Sequence, residues 1–406
     1  MNANQDYESF YRKMSYTHFK KIGSGAYGKV YSAKTLHGKR VAIKEIFDLR
    51  DIIDSIKLIR ELKMLKHFNV YKHPNIIQLK DVYIKEPKLK YNLLRSPKSS
   101  YNEVCIVTDL VDTDLHKLIQ KYRIKPLKNP LTEKHYEYFA AQLVSGLYYL
   151  ASANIIHRDL KPSNIVINAN CELKIIDFGL SRTKDNGNYN KEQTDYVVTR
   201  WYRAPEIILY NNEYGYDKQV DIWALGCVLA EMILKRPLFD GDDYKEQLKK
   251  ILEFIELTDD DFEYLKKLNH KAGTLAFINK YKLTNSNYSF MERFRVQQRL
   301  CFYADNKNTK IPEAISDELI LLIEQMLIIN PERRITIEKL IEHPYFSDIL
   351  YTENKSKGTI PVITSPKKFK IDYNFEEKLV KSDNIDLVKD HIYDEVITFH
   401  KEIGKN

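Results

Sequence analysis

Cysteine is scarce and scattered in this sequence: Cys105, Cys171, Cys227 and Cys301 stand far apart, and no two share a CxxC spacing. That argues against a zinc site and against a disulfide framework, and it suits a reducing compartment. Long apolar runs are missing as well. The longest strongly apolar stretch, IWALGCVLA at 222–230, falls far short of the ~20 residues that span a bilayer. The opening MNANQDYESFYRKMSY has no apolar segment of the signal-peptide kind. The expectation is a protein neither secreted nor embedded in a membrane, placed in the cytoplasm, the nucleus or both. No charge of one sign dominates, because 64 Lys and Arg are interleaved with 56 Asp and Glu for a net +8. No basic run is joined to a module that reads RNA or DNA, so the charges read as a solvated surface and no nucleic-acid partner is expected. Internal repeats and long low-complexity tracts are absent too. What remains is a globular composition, 43% hydrophobic and 30% charged, over 406 residues, enough for two or three units.

The chain begins its regular structure near Tyr16. FKKIGSGAYGKVYSA, a turn at His37-Gly38 and KRVAIKEI predict a three-stranded antiparallel start. Gly23, Gly25 and Gly28 form GxGxxG, a pattern that also marks dinucleotide sites. Such a site needs a helix opening at the last glycine, whereas here GKVYSA continues as strand and VAIK follows, with Lys44 sixteen residues after Gly28. A helix is predicted over 51–66, with Ile52, Ile56, Ile59, Leu62 and Leu65 on one face. Glu61 on that helix has two readings, a partner for Lys44 or an exposed i,i+4 pair with Lys57. Two more strands, IIQLKDVYI and EVCIVTDL, flank the Lys/Ser/Pro-rich link EPKLKYNLLRSPKSSYN, a surface loop. After it come DLHKLIQKY and a long helix near 133–152, which mark an α-rich region.

Then HRDLKPSN stands at 157–164, with DFG beginning thirteen residues beyond Asn164. Acids in loops are ordinarily solvated or capping residues, but a string of eight at this distance from DFG, downstream of a Gly-rich loop and VAIK, resembles eukaryotic protein kinases. TDY at 194–196, followed by VVTRWYRAPE, resembles the mitogen-activated protein kinases (MAP kinases) in particular.

The resemblance implies an α+β, two-lobed protein kinase fold with a small β-rich lobe, a larger helical lobe and a C-terminal extension. Its parts would be an N-terminal segment (1–15), the small lobe (16–108), a hinge (109–111), the large lobe (112–346) and the extension (347–406). It also implies an ATP- and Mg²⁺-dependent enzyme that phosphorylates Ser or Thr on proteins, at residues followed by Pro. Ile22, Gly23, Ser24, Gly25, Ala26, Tyr27, Gly28, Lys29 and Val30 would cover ATP, the glycines admitting phosphates without a Cβ in the way. Ala42 and Lys44, Glu61 as the partner of Lys44, the gatekeeper Thr108 and the hinge Asp109, Leu110 and Val111 complete that set. Asp159 would take or orient the substrate hydroxyl proton, with Lys161 and Thr199 beside it. Asn164 and Asp177 would hold Mg²⁺. Asp221 would brace the catalytic loop, and Glu206 would pair with Arg334.

Thr194 and Tyr196 would be phosphorylated by an upstream dual-specificity kinase and reset by phosphatases. Arg60, Arg158 and Arg182 would receive the first phosphate, Arg200 and Arg203 the second. The enzyme would act as a monomer. FKID at 369–372, and a following helix with Leu387, Ile392, Val396 and Phe399 on one face, would pack back on the small lobe. One departure stands out: KSKGTIPVITSPKK at 355–368 has no Asp or Glu where the family usually carries an acidic docking cluster. Basic docking peptides are therefore expected to bind weakly. A cyclin-dependent-kinase-like enzyme is the nearest rival, opposed by TDY, by the absence of a PSTAIRE-like string and by the extension. A scaffold without chemistry is the other, opposed by the filled catalytic positions.

Overall fold

The computed structural model describes residues 14–25, 28–47, 49–85, 101, 103–124, 131–183, 200–209, 217–268, 272–282, 288–305, 315–351, 359–370 and 373–404. The expectations for Ala26, Tyr27, Thr194, Tyr196 and Thr199 lie outside these residues, as do the link at 86–100 and the last two residues of FKID. The chain divides into two units. One comprises Met1–Asp112, Asp177–Gly179 and Ile371–Asn406, the other Thr113–Ile176 and Leu180–Lys370.

The first unit is built on an antiparallel sheet of β1 (Tyr16–Gly25), β2 (Gly28–Thr35), β3 (Arg40–Phe47), β4 (Leu79–Lys85) and β5 (Glu103–Asp109), in the order β1-β2-β3-β5-β4. Alternation sorts its two faces. Val41, Ile43, Ala33, Cys105 and Val107 pack with Tyr16 in a buried cluster. The opposite face carries Val30, Lys44 and Ile106 in one cross-strand row and Ser32, Ala42 and Thr108 in the next. Glu45 is 1% exposed and is held by Lys85 at 3.1 Å. The helix α1 (Ile52–Val70) begins where the Asp51 side chain accepts from the Asp54 amide at 2.8 Å. It runs past the expected end at residue 66 because HFNV still contributes Phe68, fully buried, to its packed face.

In the second unit α2 (Leu115–Ile124) precedes α3 (Glu133–Ser152), whose start is closed by a reciprocal cap between Thr132 and His135. α4 (Gln219–Leu234) is buried at every residue, as its sequence, apolar nearly all round, predicts. Gly226 allows close approach at its centre, since a Cβ there would lie 2.9 Å from the Leu327 side chain. Beneath the short helix Pro205–Ile208, Arg334 is 1% exposed. It donates to Glu206 at 2.7 and 3.1 Å and to the carbonyls of Gln219, Ile328 and Ile329. A buried guanidinium so fully bonded is tolerable, whereas loss of Glu206 would strand it at a cost of about 3–5 kcal/mol. α5 (Tyr244–Phe254) is capped by Asp243.

The segment after residue 346 is divided between the units. Through Lys370 it belongs with the second, where Ser145 Oγ donates to Pro361 O at 2.6 Å and Phe369 N to Ala153 O at 2.7 Å. Beyond it, α6 (Tyr373–Ser382) and α7 (Ile385–Glu402) pack in the first unit, as expected of the extension. Val388, Ile392, Val396 and Phe399 form the buried stripe of α7, while Leu387 is 40% exposed. The expected stripe was thus one residue off at its start. Lys63 and Lys66 of α1 both pair with Glu395 of α7, at 2.6 and 3.0 Å.

Candidate active site

In the first unit the β1–β2 hairpin brings Gly23 opposite Val30, Ser24 opposite Lys29 and Gly25 opposite Gly28. Gly28 has a reason beyond phosphate access: a Cβ built there would lie 2.1 Å from the Glu45 carbonyl, so β2 and β3 could not keep this register with any other residue. Ile22 on the same hairpin stays 41% exposed. Lys44 Nζ donates to both carboxylate oxygens of Glu61, each at 3.0 Å. The alternative partner, Lys57, turns to Asp54 at 2.8 Å. Removal from water lowers the Lys44 amine, but the carboxylates of Glu61 and then Asp177 outweigh this and hold it above its ordinary value. Asp177 sits in the left-handed backbone region with φ 68°, and Phe178 behind it is fully buried against Phe68 of α1, ring centres 4.7 Å apart. Thr108 and Asp109 close β5, and Leu110 and Val111 follow it without regular structure.

In the second unit the loop at 157–164 is fixed from below. Asp221 at the start of α4 accepts from the amides of His157 and Arg158 at 2.7 and 2.8 Å, which holds Arg158 in a left-handed turn, φ 67°. The carboxylate of Asp159 then receives Lys161 Nζ at 2.7 Å and Asn164 Nδ2 at 2.9 Å, both on Oδ2. Asn164 also donates to Asp159 O at 2.9 Å, so both amide protons are engaged and Oδ1 is the atom it can offer a cation. An amide oxygen is one of the hard donors that a cation such as Mg²⁺ takes.

The five arginines fall into three settings. Arg158 donates to Leu180 O and Arg182 to Ser181 O, each at 3.3 Å. The guanidinium carbons of Arg200 and Arg203 lie 4.8 and 5.8 Å from the centre of the Tyr244 ring, and Arg203 donates to the phenol oxygen at 2.6 Å. Arg60 is wholly buried and already engaged by Glu376 of α6. Neither Tyr244 nor Glu376 was singled out from the sequence as a contact for these arginines.

Next to Arg203, Tyr202 donates its hydroxyl to Glu231 at 2.6 Å. Burial pushes the Glu231 carboxyl up to about 7, against the lowering pull of the Tyr202 hydrogen bond. A raised carboxyl favours the folded state below the unfolded value of 4.5, and that stability is lost as pH rises from there through about 7. The loss is on the order of 3 kcal/mol. Glu231→Gln keeps an acceptor for Tyr202 without a charge. Its melting temperature should match the wild type near pH 4.5 and exceed it increasingly toward pH 8, which thermal melts across that range will read. Equal differences at every pH would show that Glu231 does not titrate in this window.

The family pattern for the protein kinase domain matches residues 16–346. The chain is similar to mitogen-activated protein kinase 4 of Arabidopsis thaliana, 38% identical over 94% of this chain and 86% of that protein. It is similar to mitogen-activated protein kinase 6 of Oryza sativa, 37% identical over 89% and 83% of the two chains. Extracellular signal-regulated kinase 1 of Dictyostelium discoideum is 37% identical over 95% of this chain and 63% of its own length.

Proposed function

The chain belongs to the protein kinase family, among the MAP kinases, and on that footing we propose how it phosphorylates Ser and Thr of proteins and how it is switched on. It is a Ser/Thr protein kinase with ATP as its substrate and a divalent metal as its cofactor. In our reading the metal is Mg²⁺: Asp177 and Asn164 would hold it, and it would supply charge to offset the phosphates. Lys44 binds the α- and β-phosphates, with Glu61 fixing its amine. The glycine hairpin, Val30, Ala42 and the stretch from Thr108 to Val111 receive the nucleotide. Asp159 accepts the hydroxyl proton, and Lys161, with Thr199, steadies the transferring group. The observation that carries this reading is the Asp159–Lys161–Asn164 cluster, with both donors on one carboxylate oxygen and the other left for a substrate hydroxyl.

Phosphates on Thr194 and Tyr196 bring about −1.5 to −2 charge each and order the activation segment on its arginines. An upstream dual-specificity kinase adds them and phosphatases remove them. Substrates carry Pro after the phosphorylated residue, and the protein works as a monomer in the cytoplasm or nucleus. Lys367, Lys368 and Lys370 are exposed in the extension, which favours partners other than Lys/Arg-rich docking peptides. A salt-dependent micromolar titration of such a peptide would refute that. The test of the switch uses protein treated with a dual-specificity kinase, Mg-ATP and a Ser-Pro or Thr-Pro peptide. Thr194→Ala/Tyr196→Phe should be slower than the treated wild type by about 10²-fold or more. Equal rates would overturn the switch, and no turnover by the treated wild type would overturn the function.

A further inference from the structure

Arg60 is 0% exposed, yet it carries a permanent charge that must be answered inside the protein. Nε donates to Glu376 Oε1 at 3.1 Å and Nη2 to Glu376 Oε2 at 2.6 Å, two parallel bonds from one guanidinium edge to one carboxylate. The remaining nitrogen, Nη1, donates to Gly179 O at 2.9 Å. One side chain therefore ties α1 to the extension and to the residue that closes Asp177-Phe178-Gly179. Arg60 is also the neighbour of Glu61 in α1. Consecutive residues stand about 100° apart round a helix, so fixing the rotation of Arg60 fixes that of Glu61.

We propose that Glu376 is a positioning residue for phosphoryl transfer: its carboxylate in the fork of Arg60 holds α1 in the rotation that brings Glu61 to Lys44. The extension thus supplies from within the chain an anion for the arginine expected to receive the Thr194 phosphate. Two observations support this role over that of an inhibitory latch. The Arg60–Glu376 and Lys44–Glu61 pairs are formed together, so the contact accompanies the productive pairing. Glu376 also sits on an anchored element, because Lys63 and Lys66 hold Glu395, His400 meets Asp81 at 3.2 Å and Tyr101 donates to Lys389 O at 2.6 Å. A phosphate on Thr194 that reached Arg60 would replace one anion by another and leave α1 where it is.

The inference rests on the proposed function, so the experiment reads both. In a Thr194→Ala background, the basal kcat and KM for peptide and Mg-ATP are compared with and without Glu376→Gln. Glu376→Gln should lower basal kcat by about tenfold or more, with peptide KM little changed. Glu377→Gln, which removes the adjacent carboxylate paired with Lys381, should leave it within about twofold. In otherwise wild-type protein phosphorylated on both sites, Glu376→Gln should cost no more than about threefold, because the phosphate takes the fork. Should Glu376→Gln fail to fold, Arg60→Met/Glu376→Leu removes both charges at similar volume and should show the same basal loss. A basal rate unchanged or raised by Glu376→Gln overturns the proposal, and so does a Thr194→Ala protein with no turnover at all. A lower melting temperature with unchanged kcat per folded molecule overturns it as well. Doubly phosphorylated wild type, assayed alongside, reports on the proposed function alone: if it is active, only the role of Glu376 has failed.

Discussion

Asp159→Asn is expected to lower kcat by about 10²–10⁴-fold, the range that a positioned general base contributes. The geometry explains why the effect should fall on kcat and not on folding. Lys161 at 2.7 Å and Asn164 at 2.9 Å both donate to Oδ2, so an asparagine can still present an oxygen to them. It cannot accept the proton of a substrate hydroxyl at the other position, and it leaves Lys161 without its counter-charge. Peptide KM should barely move. Steady-state assays of activated protein on a Ser-Pro or Thr-Pro peptide, with thermal melts of the same samples, check this. A loss smaller than tenfold at unchanged stability would take the proton-accepting role away from Asp159. The same variant separates an enzyme from a scaffold in cells, because a scaffold keeps its cellular function after the change.

The parts of the site that were legible in the sequence are those in which the chemistry constrains residue types over a short contiguous string. HRDLKPSN and DFG needed no tertiary information, and GKVYSA is strand as read, while its register, which sets Val30 beside Lys44, came with the fold. The resemblance chose Lys44 over Lys57 as the partner of Glu61, and the fold bears that out. Spacing alone permits both, and it is the sheet that delivers the Lys44 amine to the carboxylate. Glu206 with Arg334, and Asp221 beneath the catalytic loop, were legible only through the resemblance, and the contact of Arg60 with Glu376 was not legible at all. Arg60 and Glu376 lie 316 residues apart, and an acid in an amphipathic helix carries no mark of the cation it will meet. Near α7 the failure was finer. Val388 stands four residues before Ile392 and Leu387 stands five, so the helical period itself points to Val388 as the inward residue, and a stripe begun at Leu387 departs from it. Gly28 shows a third kind of gap. The sequence offers phosphate approach as its reason, and the structure adds the Glu45 carbonyl that no side chain there could avoid.

Lys44→Arg should abolish transfer while leaving the fold intact. Lys44 Nζ is a compact charge set 3.0 Å from both oxygens of Glu61, and the Asp177 carboxylate also acts on it. A single ammonium can answer Glu61 and still turn a proton toward a phosphate oxygen. A guanidinium is larger and planar, and its fork matches a carboxylate edge on, so it would close on Glu61 with both arms and present its blunt side elsewhere. The charge would survive and the phosphate contact would not. Folding should tolerate the exchange: the Lys44 side chain keeps 37% of its exposure and Arg still pairs with Glu61, so the stability change should stay within about 1 kcal/mol. The loss of kcat/KM should be about 10²-fold or more, as for other preorganised charges directed at a transferring group. Steady-state kinetics with varied Mg-ATP and a melting curve on the same preparation decide it. Turnover retained at an unchanged melting temperature would remove Lys44 from the site and leave its pairing with Glu61 a matter of structure alone.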